Sequence, residues 1–222
     1  YKQLNHIETR IPSESEVKAY LVENGILKES ISLEEMKNLK HLSLNGINDE
    51  VLNYVSTLSN LKKLQIKGAK LDSLDSVKNL RNLTVFEMEG AQVGDYSALK
   101  EMDLLEELEI ERSNFDNLEI ISQLQNLRKL DIDLTNVTDL RALANLNNLS
   151  ELAMDGLQVD DFSVLQQLTN LKELDLEFMT LNTLSYLSDL KNLKKLDLEG
   201  SIVSQKDIEA LKNLLPNLKI RR

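Results

Sequence analysis

Apolar residues recur along this chain with one fixed period. The pattern Leu-x-x-Leu-x-Leu, or a close apolar variant, begins at Leu39, Leu61, Leu83, Leu105, Leu127, Leu149, Leu171 and Leu193, each step being 22 residues. One more step reaches Leu215, Leu218 and Ile220, a partial ninth copy. Such self-similarity is the mark of a repeat architecture. With the first Leu of each copy as position 0, positions 3 and 5 are apolar and positions 2, 4 and 6 are mostly polar. This alternation predicts a short strand with its apolar side turned inward. Position 12 carries a side-chain oxygen in Ser73, Asp95, Asn117, Asp139, Asp161 and Thr183. Such an oxygen is suited to accept a bond from a free N–H of a following helical turn. Positions 13, 16 and 19 are apolar, as in Leu140, Leu143 and Leu146. Spacing by three predicts a 3₁₀ or short α segment. Asn precedes the strand at Asn38, Asn60, Asn82, Asn126, Asn148, Asn170 and Asn192, where a local Asx turn is expected to redirect the chain.

One unit alone cannot bury its apolar side, whereas stacked units bury a continuous ladder. The strands are therefore expected to lie side by side in a nine-stranded parallel sheet. Leu42, Leu64, Phe86, Leu108, Leu130, Leu152, Leu174, Leu196 and Leu218 should form one buried column. Three regions follow: a helical cap over 1–38, eight repeats over 39–214 and a ninth partial repeat over 215–222. In the cap, Ser13 with Glu16 and Ser32 with Glu35 have capping-box spacing. Val17, Tyr20 and Leu21 follow at helical spacing, and Gly25 can close the helix. In the eighth copy Lys206 and Glu209 interrupt the apolar frame, while Ile208, Leu211 and Leu215 predict a longer helix after Ser204. A chain that starts at Tyr1 and stops just after the ninth strand is expected to be a processed or cut piece. A removed signal peptide or downstream domain fits that expectation.

Composition narrows the chemistry. Aromatics are 4% of the 222 residues and Trp is absent, so the core must be aliphatic. With no Cys, disulfides, thiolate metal sites and Cys nucleophiles are excluded. No run of 18 apolar residues exists, so no membrane-inserted helix is expected.

The copies Leu127–Asn148 (LRKLDIDLTNVTDLRALANLNN) and Leu149–Asn170 (LSELAMDGLQVDDFSVLQQLTN) resemble bacterial 22-residue leucine-rich repeats of the internalin type. The resemblance implies an α/β fold: a leucine-rich-repeat right-handed solenoid with a parallel concave sheet and short helical or 3₁₀ convex segments. It also implies a surface-attached or secreted protein that binds another protein on the concave sheet. The usual Asn of that family at position 8 is replaced here by Ile47, Ala69, Ala91, Ser113, Thr135, Leu157, Met179 and Ser201. Position 7 is instead Gly in Gly46, Gly68, Gly90, Gly156 and Gly200, so the turn after the strand should be built differently.

Charge gathers on one face. Over copies three to eight the outward positions read Val85, Glu87, Glu89; Glu107, Glu109, Glu111; Lys129, Asp131, Asp133; Glu151, Ala153, Asp155; Glu173, Asp175, Glu177; and Lys195, Asp197, Glu199. These 18 positions hold 14 acids and 2 bases, a net of −12, against −11 for the whole chain. Acids are poor strand residues, and like charges on adjacent strands repel. The expectation is a docking face for a basic protein or peptide. A merely solvated sheet face and a Ca²⁺-binding face are the competing readings, the latter lacking an Asp-x-Asp-x-Asp-Gly loop around Asp131 and Asp133. Leu134 and Phe178 break the Gly column at position 7. They are either turn variants packed on their neighbours or an apolar anchor at the edge of the face.

Other chemistry is disfavoured. His6 and His41 are far apart and have no Cys partner, so no metal site is expected. Paired acids occur throughout the ladder, but nothing predicts a cleft that would tune one of them for catalysis. Nucleic acid needs a basic track where this chain has an acidic one. The expected function is a non-enzymatic interaction module without cofactor, secreted or on a cell surface. A cytoplasmic regulatory scaffold and a structural spacer are the alternatives.

Overall fold

A computed structural model describes residues 12–222; His6 and the first part of the 1–38 segment lie outside the described residues. Nine parallel strands form one sheet in chain order: His41–Asn45, Lys63–Lys67, Val85–Glu87, Glu107–Glu109, Lys129–Asp131, Glu151–Ala153, Glu173–Asp175, Lys195–Asp197 and Lys219–Arg221. Residues 22 apart stand side by side, as in Leu108 beside Leu130 and Leu130 beside Leu152. The inward residues Leu64, Phe86, Leu108, Leu130, Leu152, Leu174 and Leu196 are buried, and Leu42 at the open end is partly so.

The return path of each coil is built as its spacing demands. In the fifth copy Leu143 N–H donates to Leu140 O, Leu146 to Leu143 and Leu149 to Leu146, at 2.9–3.0 Å. Three successive bonds of this kind make the 3₁₀ turn Arg141–Asn145 and point every third Leu at the core. The expected side-chain bonds form in all six copies, although only Asn117 is itself the N-cap and the other five stand one residue before it. Ser73, Asp95, Asn117, Asp139, Asp161 and Thr183 each accept from the N–H two residues on, at 2.7–3.3 Å.

Asn38 makes a local bond, donating to Glu34 O four residues back at 3.0 Å, but the other six Asn residues before the strands act differently from expectation. Their side-chain amides donate to a carbonyl 23 residues back: Asn60 to Lys37, Asn82 to Ser59, Asn126 to Asp103, Asn148 to Gln125, Asn170 to Asn147 and Asn192 to Thr169, at 2.7–2.9 Å. Stacking places the previous coil's carbonyl beside each Asn, so the bond joins coils instead of closing a turn.

The N-terminal helix α1 (Glu14–Glu23) and the short helix α2 (Leu33–Lys37) both start with complete capping boxes. Val17, Leu21 and Met36 are buried against the first coil, and Tyr20 stacks on Tyr54 at 3.8 Å. At the other end, a longer helix, α3 (Gln205–Leu214), starts at the Ser204 cap and buries Ile208 and Leu211. It also displaces the register. Leu196 pairs with Ile220, not with Leu218 as the strict period requires. Leu218 N–H donates to Leu215 O at 3.0 Å, just as Leu193 does to Leu190 O at 2.9 Å, so Leu218 takes the place expected of Leu215. The cause is length: a full α-helix rises and turns differently from a 3₁₀ segment, and the strand enters the sheet later in the chain.

Candidate functional site

Each strand of the face is only three to five residues long, so its outward positions are set by the buried Leu on either side. The predicted acids come together as one stripe across the sheet, most of them half-buried against one another. The backbone uses part of that stripe. At position 6 the strand ladder has ended, and aspartates take over as acceptors. Asp155 N–H donates to Asp133 Oδ1 and Glu177 N–H to Asp155 Oδ1, both at 2.6 Å; Asp133 and Glu199 N–H donate to Asp131 and Asp197 Oδ1, both at 3.0 Å.

Cations neutralise the ends of the stripe. Lys63 pairs with Glu87, Lys67 with Glu89, and Arg112 with Glu89 at 3.3 Å. At the far end Lys195 reaches Glu173 at 2.6 Å, and Arg221 reaches Asp197 at 3.0 Å, Glu177 at 3.6 Å and Glu199. Glu177, Asp197 and Glu199 place carboxylate oxygens within 4.8 Å of one another, with the Arg221 guanidinium beside them. Lys67 meets the acid directly opposite it, and Arg221 does so at Asp197, whereas Lys63–Glu87 and Arg221–Glu177 depend on diagonal reach between strands.

The centre differs. Among the described residues, Lys129 pairs with Glu109, while Glu111, Asp131, Asp133, Asp155 and Asp175 have no cationic nitrogen within 4.0 Å. Burial, and then the neighbouring carboxylates, hold these groups above the ordinary range. Glu111 is pushed up to about 7 and Asp133 to about 7. Asp175 rises to about 6, and Asp131 and Asp155 are also raised. One oxygen of Glu111, Oε2, is buried with no hydrogen-bond partner. The face thus resists its own full ionisation in the middle and not merely at its rim.

Position 7 forms a second column at the edge of the face. Gly46, Gly68, Gly90, Gly156 and Gly200 have φ of +62 to +69°, and Arg112, Leu134 and Phe178 take the same left-handed turn at +56, +52 and +56°. For a bulky side chain this conformation costs about 1–2 kcal/mol. Phe178 is 67% exposed and Leu134 51% exposed. Neither folds back into the core. Phe178 lies across Gly200, where a Cβ would come within 2.6 Å of its ring, and Leu134 lies across Gly156 in the same way. The Gly column signalled this left-handed turn in the sequence. His41 stands exposed on the first strand, apart from the stripe. No helix among the described residues is long and apolar enough to cross a membrane.

Comparison with known proteins agrees with this architecture. The family described as leucine-rich repeat region matches residues 22–220. The fold is similar to that of an internalin of Listeria monocytogenes, with a TM-score of 0.72 at 22% identity, covering 85% of this chain and 55% of that one. The chain therefore spans about half the length of that internalin. Internalin C2 of the same organism gives 0.70 at 24% identity, covering 92% of this chain and 91% of that one. A leucine-rich repeat protein of Leptospira interrogans gives 0.56 at 21% identity, covering 85% and 62%. No curated protein sequence matches the chain. Leucine-rich repeat folds are typically non-catalytic scaffolds that bind proteins, and on its repeat, its sheet and its family match this chain belongs to the leucine-rich repeat family, in the internalin-like form of the fold.

Proposed function

We propose that this chain is a non-catalytic interaction module whose acidic sheet face docks a basic protein or peptide, in a secreted or cell-surface setting. The observation that carries the reading is the uncompensated centre. A purely solvated face would be served by Thr, Ser or Lys, which suit an exposed strand as well or better. Here Glu111, Asp131, Asp133, Asp155 and Asp175 are crowded, half-buried and without cations among the described residues. Cationic side chains from a partner would relieve that repulsion, and relief available only on binding is free energy for binding. Glu111 as a whole is half-buried, and its buried Oε2 has no donor among the described residues.

The test uses a lysine-rich peptide as probe. Binding to the native chain should weaken steeply with added salt, because exposed charges are screened over about 8–10 Å at physiological ionic strength. Glu111→Gln, Asp133→Asn and Asp175→Asn together should lower affinity about tenfold or more, which corresponds to roughly 1.4 kcal/mol. Asn at 133 keeps the acceptor that Asp155 N–H needs. Neutralising the exposed acids Asp116 and Asp189, which lie off the sheet, serves as control and should change little. Equal binding by the sheet variant and the native chain would show that the face is only solvated.

A further inference from the structure

Resting on the acidic-face reading, we propose that Leu134 and Phe178 form an apolar ledge along one edge of the face, seating two apolar side chains of an extended basic segment.

The two residues are anomalous in two independent ways. Their backbones adopt the left-handed conformation that Gly holds in five of the eight copies. Their side chains are nevertheless large, apolar and largely exposed. Either feature alone is disfavoured, and Gly at both positions would remove both. The arrangement is also the same at both positions. Leu134 lies over Gly156 and Phe178 over Gly200, so each side chain leans by one coil in the same direction. Any larger residue at 156 or 200 would collide with it, and the sequence supplies Gly at both. Two exposed apolar groups thus stand two coils apart along the edge.

That spacing and its surroundings define the occupant. The ledge residues are two coils apart, so their backbones are about 9.6 Å apart at the usual distance between neighbouring strands. A polyproline-II segment returns to the same side every third residue after about 9.3 Å. Apolar residues at i and i+3 of such a segment match the two ledge positions. Directly beside the ledge, one residue back in the chain, stand Asp133, Asp155 and Glu177. With three residues per turn, one of the two remaining positions in each turn would face these carboxylates, so it should be Lys or Arg. Hydrophobic anchors flanked by charge fit the general anatomy of interfaces, in which a few buried apolar groups carry affinity and the charged rim steers.

The experiment compares two short lysine-rich peptides, one with leucines three residues apart and one with serines in their place. The leucine peptide should bind the native chain at least tenfold more tightly than the serine peptide. In the double variant Leu134→Gly/Phe178→Gly that advantage should vanish, while the serine peptide binds as before. The variant is suited to fold, because Gly already fills the column elsewhere, and its melting temperature should not fall. As a second check, Phe178→Met should keep most of the advantage. Equal binding of both peptides to the native chain, or a leucine advantage that survives in the glycine variant, would overturn the ledge while leaving the acidic face standing. Failure of both peptides to bind would overturn the acidic-face reading and the ledge with it.

Discussion

At the two ends of the sheet the outward acids meet bases from neighbouring strands: Lys63 and Lys67 on one side, Lys195 and Arg221 on the other. In the middle, from Glu107–Glu109 to Glu151–Ala153, the one outward acid that meets a base among the described residues is Glu109, paired with Lys129. The backbone frame and the buried Leu column are the same in both regions. A repeat therefore sets where side chains point but leaves their electrostatics free to vary from coil to coil. The ends carry neutralised acids. The centre carries acids that crowd one another, most of them without an ion pair among the described residues.

The first way to break this comparison is to attack the shared frame. Leu130→Ala or Leu152→Ala, in the centre, should each cost about 2–5 kcal/mol in chemical denaturation, because a fully buried Leu leaves a cavity. Leu42→Ala at the partly open end should cost clearly less. Equal costs would show that the ends are packed as tightly as the middle.

Charge removal sharpens the contrast, because its sign should differ between the regions. Asp133→Asn keeps the bond from Asp155 N–H and removes a crowded charge, so stability should rise by up to about 1 kcal/mol once solvent screening is allowed for. Asp197→Asn removes a partner of Arg221 and should lower stability by less than about 1 kcal/mol, as for other exposed pairs. Thermal melts of the two variants test this. A rise in both, or a fall in both, would erase the distinction.

A pH titration gives the smallest effect. In the folded chain Glu111 and Asp133 keep their protons up to about 7 and Asp175 up to about 6. In the unfolded chain they titrate near 4, so between these limits the folded state binds more protons and stability falls as pH rises from about 4 to 7. Affinity for a cationic probe should move the opposite way over the same range, since the probe favours the ionised form. Melting temperature should drop by a few degrees across that window, and the Glu111→Gln/Asp133→Asn/Asp175→Asn variant should flatten the drop. An unchanged slope in that variant would mean that other groups set the pH response.

How far these features could be read in advance differs by their range. The strand positions, the 3₁₀ turns and the six side-chain bonds that open them follow from spacing within one coil, and each was visible in the residues themselves. The left-handed turn was signalled by the Gly column, even where Phe178 and Leu134 occupy it. The Asn ladder was misjudged because its bond partner lies 23 residues away, a relation that exists only once coils stack. The last strand was misplaced because helix α3 replaces a 3₁₀ turn, and a fixed period cannot register that change of geometry. The acidic stripe was legible as a stripe. Which of its members are neutralised was not, because Lys63 and Arg221 reach diagonally across strands and rotamers decide their partners.

The Asn ladder has a kinetic consequence. Its bonds span 23 residues, and the sheet pairs span 22 except at the last strand. Closing one coil thus costs the entropy of a short loop, and that cost hardly grows along the chain. Contacts separated by one coil in a chain of this length give a relative contact order of about 0.1, the range of rapidly folding helical domains and not of most sheet proteins. Folding can nucleate within a few coils and grow by adding neighbours. Amide exchange should accordingly be fastest at the terminal coils and slowest near Leu130, with protection graded along the axis.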